Sequence, residues 1–376
     1  MDVVWHVCRF LLYGKDMRIA IDARKAGKSG IGVYINNLLT ELALQDGKND
    51  YIVLINSDSD ISSFRTWPAN ICFVTMKSRI FSLGEQLELP LKLQREKVDV
   101  FHSTHFCLPF IKNVRSVVTI HDLMPIIFCR EYPIAKRLFL RLMIEYAVRR
   151  ADLLIAVSEY TKSDIVRIFK GISKEKIRVI PQASDYKKAN FEAEQVLAQH
   201  QLKPGQYYLY VGSDKYNKNL NRLLAAYDQL KKPCPYPLVL AGKINYSTLK
   251  NENIRLTGVI SKAELDCLYE NARVFVMPSL YEGFGIPVIE AMTAGVPVVT
   301  ANVTSTAEIA GDAAWLVDPY NIKEIAAALI EAAENKEKRK SFIIKGLQRA
   351  DKFSWKRTAS ETLKAYYETV NTTGDN

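Results

Sequence analysis

From Met17 onward, short apolar runs rich in Val and Ile alternate with stretches whose apolar residues recur at helical spacing. Gly, Pro, Asn or Asp marks each switch. In the first half this pattern predicts strands at Arg18–Asp22, Tyr51–Ile55, Ile71–Thr75, Val98–His102, Ser116–Ile120, Leu153–Val157 and Arg178–Ile180. Helices are predicted between them at Ile31–Leu44, Leu83–Arg95, Ile134–Arg150 and Tyr160–Phe169. The second half repeats the rhythm. Its strands are predicted at Tyr207–Val211, Leu238–Ala241, Ile254–Thr257, Val274–Met277, Val296–Thr300 and Ala314–Val317, and its helices at Asn219–Leu230, Lys262–Asn271, Pro287–Ala294 and Ile322–Glu334. Strands apolar along nearly their whole length, separated by helices, imply parallel sheets covered on both faces. The expected fold class is therefore α/β, with two doubly wound, Rossmann-like sheets in succession and a ligand cleft between them, at the carboxyl ends of the strands.

The polar stretch Pro181–Gly205 is the expected boundary. It gives a first domain over residues 17–181 and a second over 182–353. In the tail, 354–376, Trp355, Ala359, Leu363 and Tyr366 keep helical spacing, which suits a helix packing back across the junction. Residues 1–16 have an apolar run broken by His6 and Arg9, with no basic start and no small-residue cleavage site. They are read as an extension rather than a signal peptide.

Composition adds three constraints. The 376 residues, 48% hydrophobic, are enough for two cored domains and exclude a disordered chain. The net charge of +10 is concentrated in residues 1–180, which carry +8 against +2 for the remainder. That asymmetry suggests an anionic partner there: nucleic acid, phosphates or an acidic membrane surface. The six cysteines are scattered without metal-ligand spacing, and no apolar run is long enough to span a bilayer, so a cytoplasmic protein is expected.

Chemistry is most legible in Phe275–Pro297, where an apolar strand ends at Pro278, the loop Glu282-Gly283-Phe284-Gly285 follows, and Pro287 opens a helix closed by Gly295. A glycine loop running into a helix amino end offers free N–H groups to a diphosphate. Glu282 and Glu290 are eight residues apart, about 12 Å on an unbroken helix. That is too far for the nucleophile and acid pair of a retaining glycosidase unless the loop folds back, so they are expected to grip different parts of one ligand. A carboxylate that accepts from vicinal hydroxyls suits a ribose, which fits Glu290.

This segment resembles the E-x7-E motif of the retaining, GT-B-fold glycosyltransferases of family 4. The resemblance runs from Met17 to about Tyr367, through SGIGVY (Ser29–Tyr34), IHDLMP (Ile120–Pro125), AVSEYTK (Ala156–Lys162), YVGSDKYNKNL (Tyr210–Leu220), LTGVISKAELDCLYENA (Leu256–Ala272) and TSTAEIAGDAAWLVDP (Thr304–Pro319). It implies that Glu290 binds the nucleotide ribose, Glu282 the donor sugar, and Gly283, Phe284 and Gly285 the sugar and phosphate through their backbone. It implies further that Lys218 neutralises the diphosphate, His121 contacts the donor sugar, Gly30 and Gly32 let the first domain approach the phosphates, and Val259 meets the base through its main chain. The sequence departs from the family pattern at Ser213, Asn217 and Val33, where arginine is common, and Lys215 or Arg222 would have to compensate.

The resemblance implies a hexose, mannose favoured, moved with retention from a nucleotide diphosphate sugar to a glycan or lipid-linked acceptor in surface polysaccharide or glycolipid synthesis. It implies no cofactor, no metal and no nucleic acid partner. A nucleotide-sugar epimerase of similar fold and a non-catalytic sugar-binding subunit are the alternatives. Asp58-Ser59-Asp60 spells the D-x-D of metal-dependent transferases, but two complete parallel-sheet halves do not fit that single-domain fold. Finally, Lys136, Arg137, Arg141, Arg149 and Arg150 share one predicted helix with Leu138, Phe139, Leu142 and Met143. The expectation is a peripheral contact with an anionic membrane surface, basic face outward and apolar face inward.

Overall fold

The computed structural model describes residues 17–27, 29–56, 67–188, 193–230, 234–245 and 251–371. The Asp58-Ser59-Asp60 motif and the extension 1–16 lie outside them. The first sheet contains β1 (Arg18–Asp22), β2 (Asp50–Ile55), β3 (Ile71–Thr75), β4 (Val100–Ser103), β5 (Arg115–Ile120), β6 (Leu153–Ala156) and β7 (Ile177–Val179), all parallel, in the order β3-β2-β1-β4-β5-β6-β7. Its helices are α1 (Gly30–Gln45), α2 (Leu83–Arg95), the short α3 (Met124–Ile127), α4 (Ile134–Arg150) and α5 (Glu159–Ile168). A sheet covered on both faces needs strands without a polar side, and β2 is buried at all six positions.

The second domain opens with α6 (Ala193–Gln199). Its sheet contains β8 (Tyr208–Val211), β9 (Leu238–Ala241), β10 (Ile254–Gly258), β11 (Val274–Met277), β12 (Val298–Ala301) and β13 (Trp315–Val317), again parallel, in the order β10-β9-β8-β11-β12-β13. Around it lie α7 (Leu220–Asp228), α8 (Lys262–Glu270), α9 (Ile286–Thr293), α10 (Thr304–Ala310), α11 (Ile322–Glu334) and α12 (Lys336–Ala350), and the chain closes with α13 (Trp355–Asn371). In both sheets the order reverses beside the first strand, and that is where such sheets open a ligand crevice.

Four helices among the described residues were not anticipated: the single-turn α3 and three others. α6 lies inside the stretch read as a polar boundary and is anchored by buried Val196 and Leu197. The seven-residue α10 is too short to register by periodicity. α12, KEKRKSFIIKGLQRA, buries only Gly346 and Ala350. It is seated by contact rather than by an apolar stripe: Gly346 lies against Met292 of α9, and Phe342 meets Trp315 at 4.4 Å.

Helix α13 joins the first domain's core although it follows the second domain in sequence. Trp355, Ala359, Ala365 and Tyr366 are buried with residues of α1 and β1. The Tyr366 hydroxyl lies 2.6 Å from His102 Nδ1, and His102 Nε2 is 2.8 Å from Thr119 Oγ1. Burial, with His121 nearby, holds His102 down to about 3, so this imidazole is neutral inside the core.

The outer face of the first domain departs from expectation. Leu138, Phe139 and Leu142 of α4, expected to cover the sheet, are exposed, and Ile134 continues their stripe. The sheet is covered instead by Leu140, Ile144, Ala147 and Val148. On α2, Leu83, Leu87 and Leu91 form a second exposed stripe at four-residue spacing. The two helices are neighbours, because Phe110 N–H donates to Gln86 of α2 while the Phe110 ring meets Tyr146 of α4 at 4.7 Å. Among the described residues, no helix is long and apolar enough to cross a membrane.

Candidate active site

The site forms where the loop after β11 reaches the carboxyl end of the first sheet. The carbonyl of Glu282 accepts from Ser305 Oγ at 2.8 Å, and that of Gly283 from Ser158 Oγ and Thr161 Oγ1 at 2.7 and 3.0 Å. In a planar trans peptide the N–H points opposite to its carbonyl. The N–H groups of Gly283 and Phe284 therefore face away from these hydroxyls, and no acceptor for them is seen among the described residues. Gly285 follows at φ 105°, a backbone suited to glycine, and serves as the cap of α9. The result is a row of free donors leading into a helix amino end, the arrangement that binds phosphate oxygens. The Phe284 ring is buried against Phe353, so only its backbone faces the site.

The domains come into close contact at Gly283. A Cβ built there would lie 1.7 Å from the His121 carbonyl oxygen and 2.9 Å from Asp122 Cβ. Tyr281, two residues earlier, accepts from the Leu123 N–H at 3.1 Å and donates to Asp164 at 3.0 Å. Glu308 of α10 accepts from the N–H groups of Glu159 and Tyr160, at the amino end of α5.

Lys218 Nζ and Glu282 Oε1 form an ion pair at 2.7 Å, with both side chains mostly buried. Asp122 lies on the other side of the cleft. Burial raises its carboxyl and Glu282 adds to the effect, with Lys215 and Lys218 opposing. Lys215 is exposed and close enough to act on this cluster, whereas Arg222 is turned to Asn219 and Tyr320. Asn217, where the family often has arginine, is a structural residue: its Nδ2 donates to the Tyr281 carbonyl and its own carbonyl accepts from Leu280. Lys215, one of the two residues expected to compensate for the missing arginine, acts on this cluster, and Asp122 joins the site although the sequence did not single it out as a ligand contact. The signal for Asp122 was its place after His121 at a strand end.

His121 is held rigidly. Its Nε2 is 2.9 Å from the Thr104 carbonyl, which fixes the proton there, and its Nδ1 accepts from Gln182 at 2.8 Å. Burial lowers it to about 4, so the ring is neutral. Both nitrogens are engaged, and the group it turns to Gly283 is its carbonyl. Gln182, immediately after the first domain's last strand, could not be recognised from sequence because nothing in a lone Gln marks it as a histidine partner.

Glu290 lies in the second turn of α9, buried, with Tyr269 donating at 3.1 Å and Lys262 Nζ at 3.3 Å. Burial raises its carboxyl, and Lys262 partly offsets that. Lys262 also pairs with Asp266. Val259 is on the exposed rim, after Gly258 at φ 69°. Gly32 is required by its own loop, because a Cβ there would lie 2.2 Å from the Gly27 carbonyl oxygen, whereas Gly30 faces open space.

Comparison with known proteins identifies the family. The family model described as Glycosyltransferase Family 4 matches residues 28–188, and that described as Glycosyl transferases group 1 matches 193–349. The O-antigen chain mannosyltransferase B of Escherichia coli is 33% identical over 282 residues, covering 71% of this chain and 74% of its own. The chain belongs to glycosyltransferase family 4. Solved structures similar to this glycosyltransferase include sucrose-phosphate synthase from Thermosynechococcus elongatus (TM-score 0.74, 18% identity, 94% of this chain and 98% of that one). Another is Anabaena HepE in complex with UDP and glucose (TM-score 0.71, 16% identity, 93% and 99%). At these identities they establish the GT-B fold and nothing finer.

The geometry of Glu290 carries a prediction for this enzyme. Glu290→Gln keeps the shape but leaves Lys262 without one of its two carboxylates and weakens the acceptor offered to a ribose. Nucleoside diphosphate affinity, by calorimetry, is expected to fall at least tenfold, about 1.4 kcal/mol. Unchanged affinity removes Glu290 from the nucleotide site.

Proposed function

We propose that the enzyme transfers a mannosyl group from a nucleotide diphosphate donor to a glycan, in the assembly of a surface polysaccharide. The observation that carries this reading is the 33% identity to an O-antigen chain mannosyltransferase over most of both chains. The RfbU O-antigen chain mannosyltransferase of Salmonella typhimurium, 25% identical over 260 residues, supports the same sugar. The complete set of Lys218, Glu282, Glu290 and the free N–H row favours an enzyme over a binding subunit.

The ion pair of Lys218 and Glu282 suggests how the donor enters. A diphosphate arriving at the N–H row takes over Lys218, because it offers more negative charge than one carboxylate. Glu282 is then released to accept hydrogen bonds from the sugar hydroxyls. Charge growing on the departing diphosphate is stabilised by Lys218, the loop N–H groups and the amino end of α9, all fixed before the reaction. The acceptor hydroxyl attacks from the leaving-group side and gives its proton to a phosphate oxygen, so the configuration is retained without a covalent enzyme intermediate. No step uses a metal ion.

The enzyme reaches its acceptor at an anionic membrane surface. The exposed stripes of α2 and α4 supply Leu83, Leu87, Leu91, Ile134, Leu138 and Leu142, and α4 adds Lys136 and Arg141. Apolar insertion and charge attraction then act together, rather than charge alone.

Two experiments test these readings. With GDP-mannose as donor and chelator present, the enzyme is expected to transfer mannose to a mannoside acceptor with an α linkage. Donor turnover without acceptor that yields an epimerised sugar, or activity that returns only with Mn²⁺, contradicts the mechanism. For docking, wild-type enzyme is expected to co-sediment with vesicles containing anionic lipid at low salt, and the Leu87→Glu, Leu138→Glu double variant to remain in solution. Absence of wild-type binding, or equal binding by the variant, rejects this surface.

A further inference from the structure

Near His121, at the carboxyl end of the first sheet, lies a second group of side chains. Phe81, just before α2, has φ 68°. A bulky side chain in the left-handed region is strained and persists only where its surroundings enforce it. The restraint is visible: the Phe81 N–H donates to Glu85 Oε2 at 2.7 Å, and the Glu85 N–H donates back to Ser82 Oγ. Glu85 is fixed in turn by an ion pair with Arg24, whose guanidinium also donates to both oxygens of Asp22, at 2.8 and 2.7 Å.

The enforced conformation stacks Phe81 on Phe106, with centroids 5.7 Å apart and planes at 26°, and both rings are half-buried. Lys25 Nζ lies 5.4 and 5.6 Å from the two centroids. Among the described residues no carboxylate is within ion-pair distance of Lys25, since Asp22 and Glu85 are both taken by Arg24. The group adjoins His121. Thr104 joins it to His121, donating to the Asp22 carbonyl and accepting from the imidazole, and the Lys25 charge contributes to the lowered basicity of His121.

We propose that Phe81, Phe106 and Lys25 form the acceptor subsite and take a neutral hexopyranose residue, its C–H face on the two rings and its hydroxyls accepting from Lys25. The charge balance favours a neutral ligand over a phosphate. Asp22 and Glu85 are offset by Arg24 and Lys25, and buried His105 is neutral, with burial lowering it to about 4, so no excess positive charge awaits an anion. Apolar faces with a few directed polar groups are the usual lining of a small-molecule site. All of these residues belong to the first domain, whereas Lys218, Glu282 and Glu290 belong to the second, so donor and acceptor would meet from opposite sides. The Phe81 ring also meets Phe139 of α4 at 6.1 Å, which connects the subsite to the exposed apolar face.

The proposal rests on the glycosyl-transfer reading, and the test separates the two. Methyl α-D-mannopyranoside is the probe, with binding followed by saturation-transfer NMR and transfer by acceptor KM. Wild-type enzyme is expected to bind it, Phe81→Leu and Lys25→Met to raise the acceptor KM at least tenfold with nucleoside diphosphate affinity within twofold of wild type, and Phe81→Tyr to restore the KM. Probe binding that depends on Phe81 in a protein with no transferase activity would leave the subsite standing and remove the transfer reading. No binding by wild type, an acceptor KM unchanged in Phe81→Leu, or lost nucleotide affinity in Lys25→Met overturns the subsite. Should Phe81→Leu not fold, Lys25→Met and Phe81→Tyr decide alone: an unchanged KM in Lys25→Met rejects the proposal.

Discussion

The rest of the site depends on the absence of a side chain at Gly283. The two sheets meet at the cleft through a close backbone approach as well as through side chains. Here the contact is between the loop after β11 and the His121 carbonyl. Any Cβ would fill that space. The same close approach lets Ser158 and Thr161 of the first domain hold the Gly283 carbonyl, and this in turn aims the loop N–H groups into the cleft. One steric allowance therefore bears both on how the domains meet, together with the Tyr281 and Glu308 contacts, and on where an anion would be held.

Around that contact the charges are arranged in pairs. Glu282 is satisfied by Lys218, and Glu290 by Lys262 and Tyr269. A buried carboxylate left unpaired is costly, and pairing it with a lysine on a flexible stem keeps the empty site stable while leaving each charge free to change partner. His121, in contrast, is fixed by Thr104 and Gln182 and carries no charge. Lysine–carboxylate pairs thus lie on the second-domain side, and a neutral, doubly hydrogen-bonded histidine lies on the first-domain side.

The α/β class and the two successive parallel sheets were legible in the sequence because buried parallel strands are written as unbroken apolar runs. The glycine loop was legible because Pro287 and Gly295 mark the helix it feeds. What the sequence withheld were contacts made at a distance. Gln182 and Lys262 carry no local mark of their partners, and α12 is too polar to declare itself by periodicity. The exposed leucines of α2 and α4 show the converse limit. Apolar residues at helical spacing imply an apolar face, but which face meets the sheet is settled by Leu140, Ile144 and Val148 competing for it.

The account is tested most directly by the turnover number of Gly283→Ala for sugar transfer. A methyl group there must displace the His121 carbonyl by more than an ångström, and a misplacement of that size costs about 10²-fold in rate. The expected result is a fall in kcat of about two orders of magnitude in a protein that remains folded. A kcat within threefold of wild type would show that the contact between Gly283 and His121 does not set the geometry of the site.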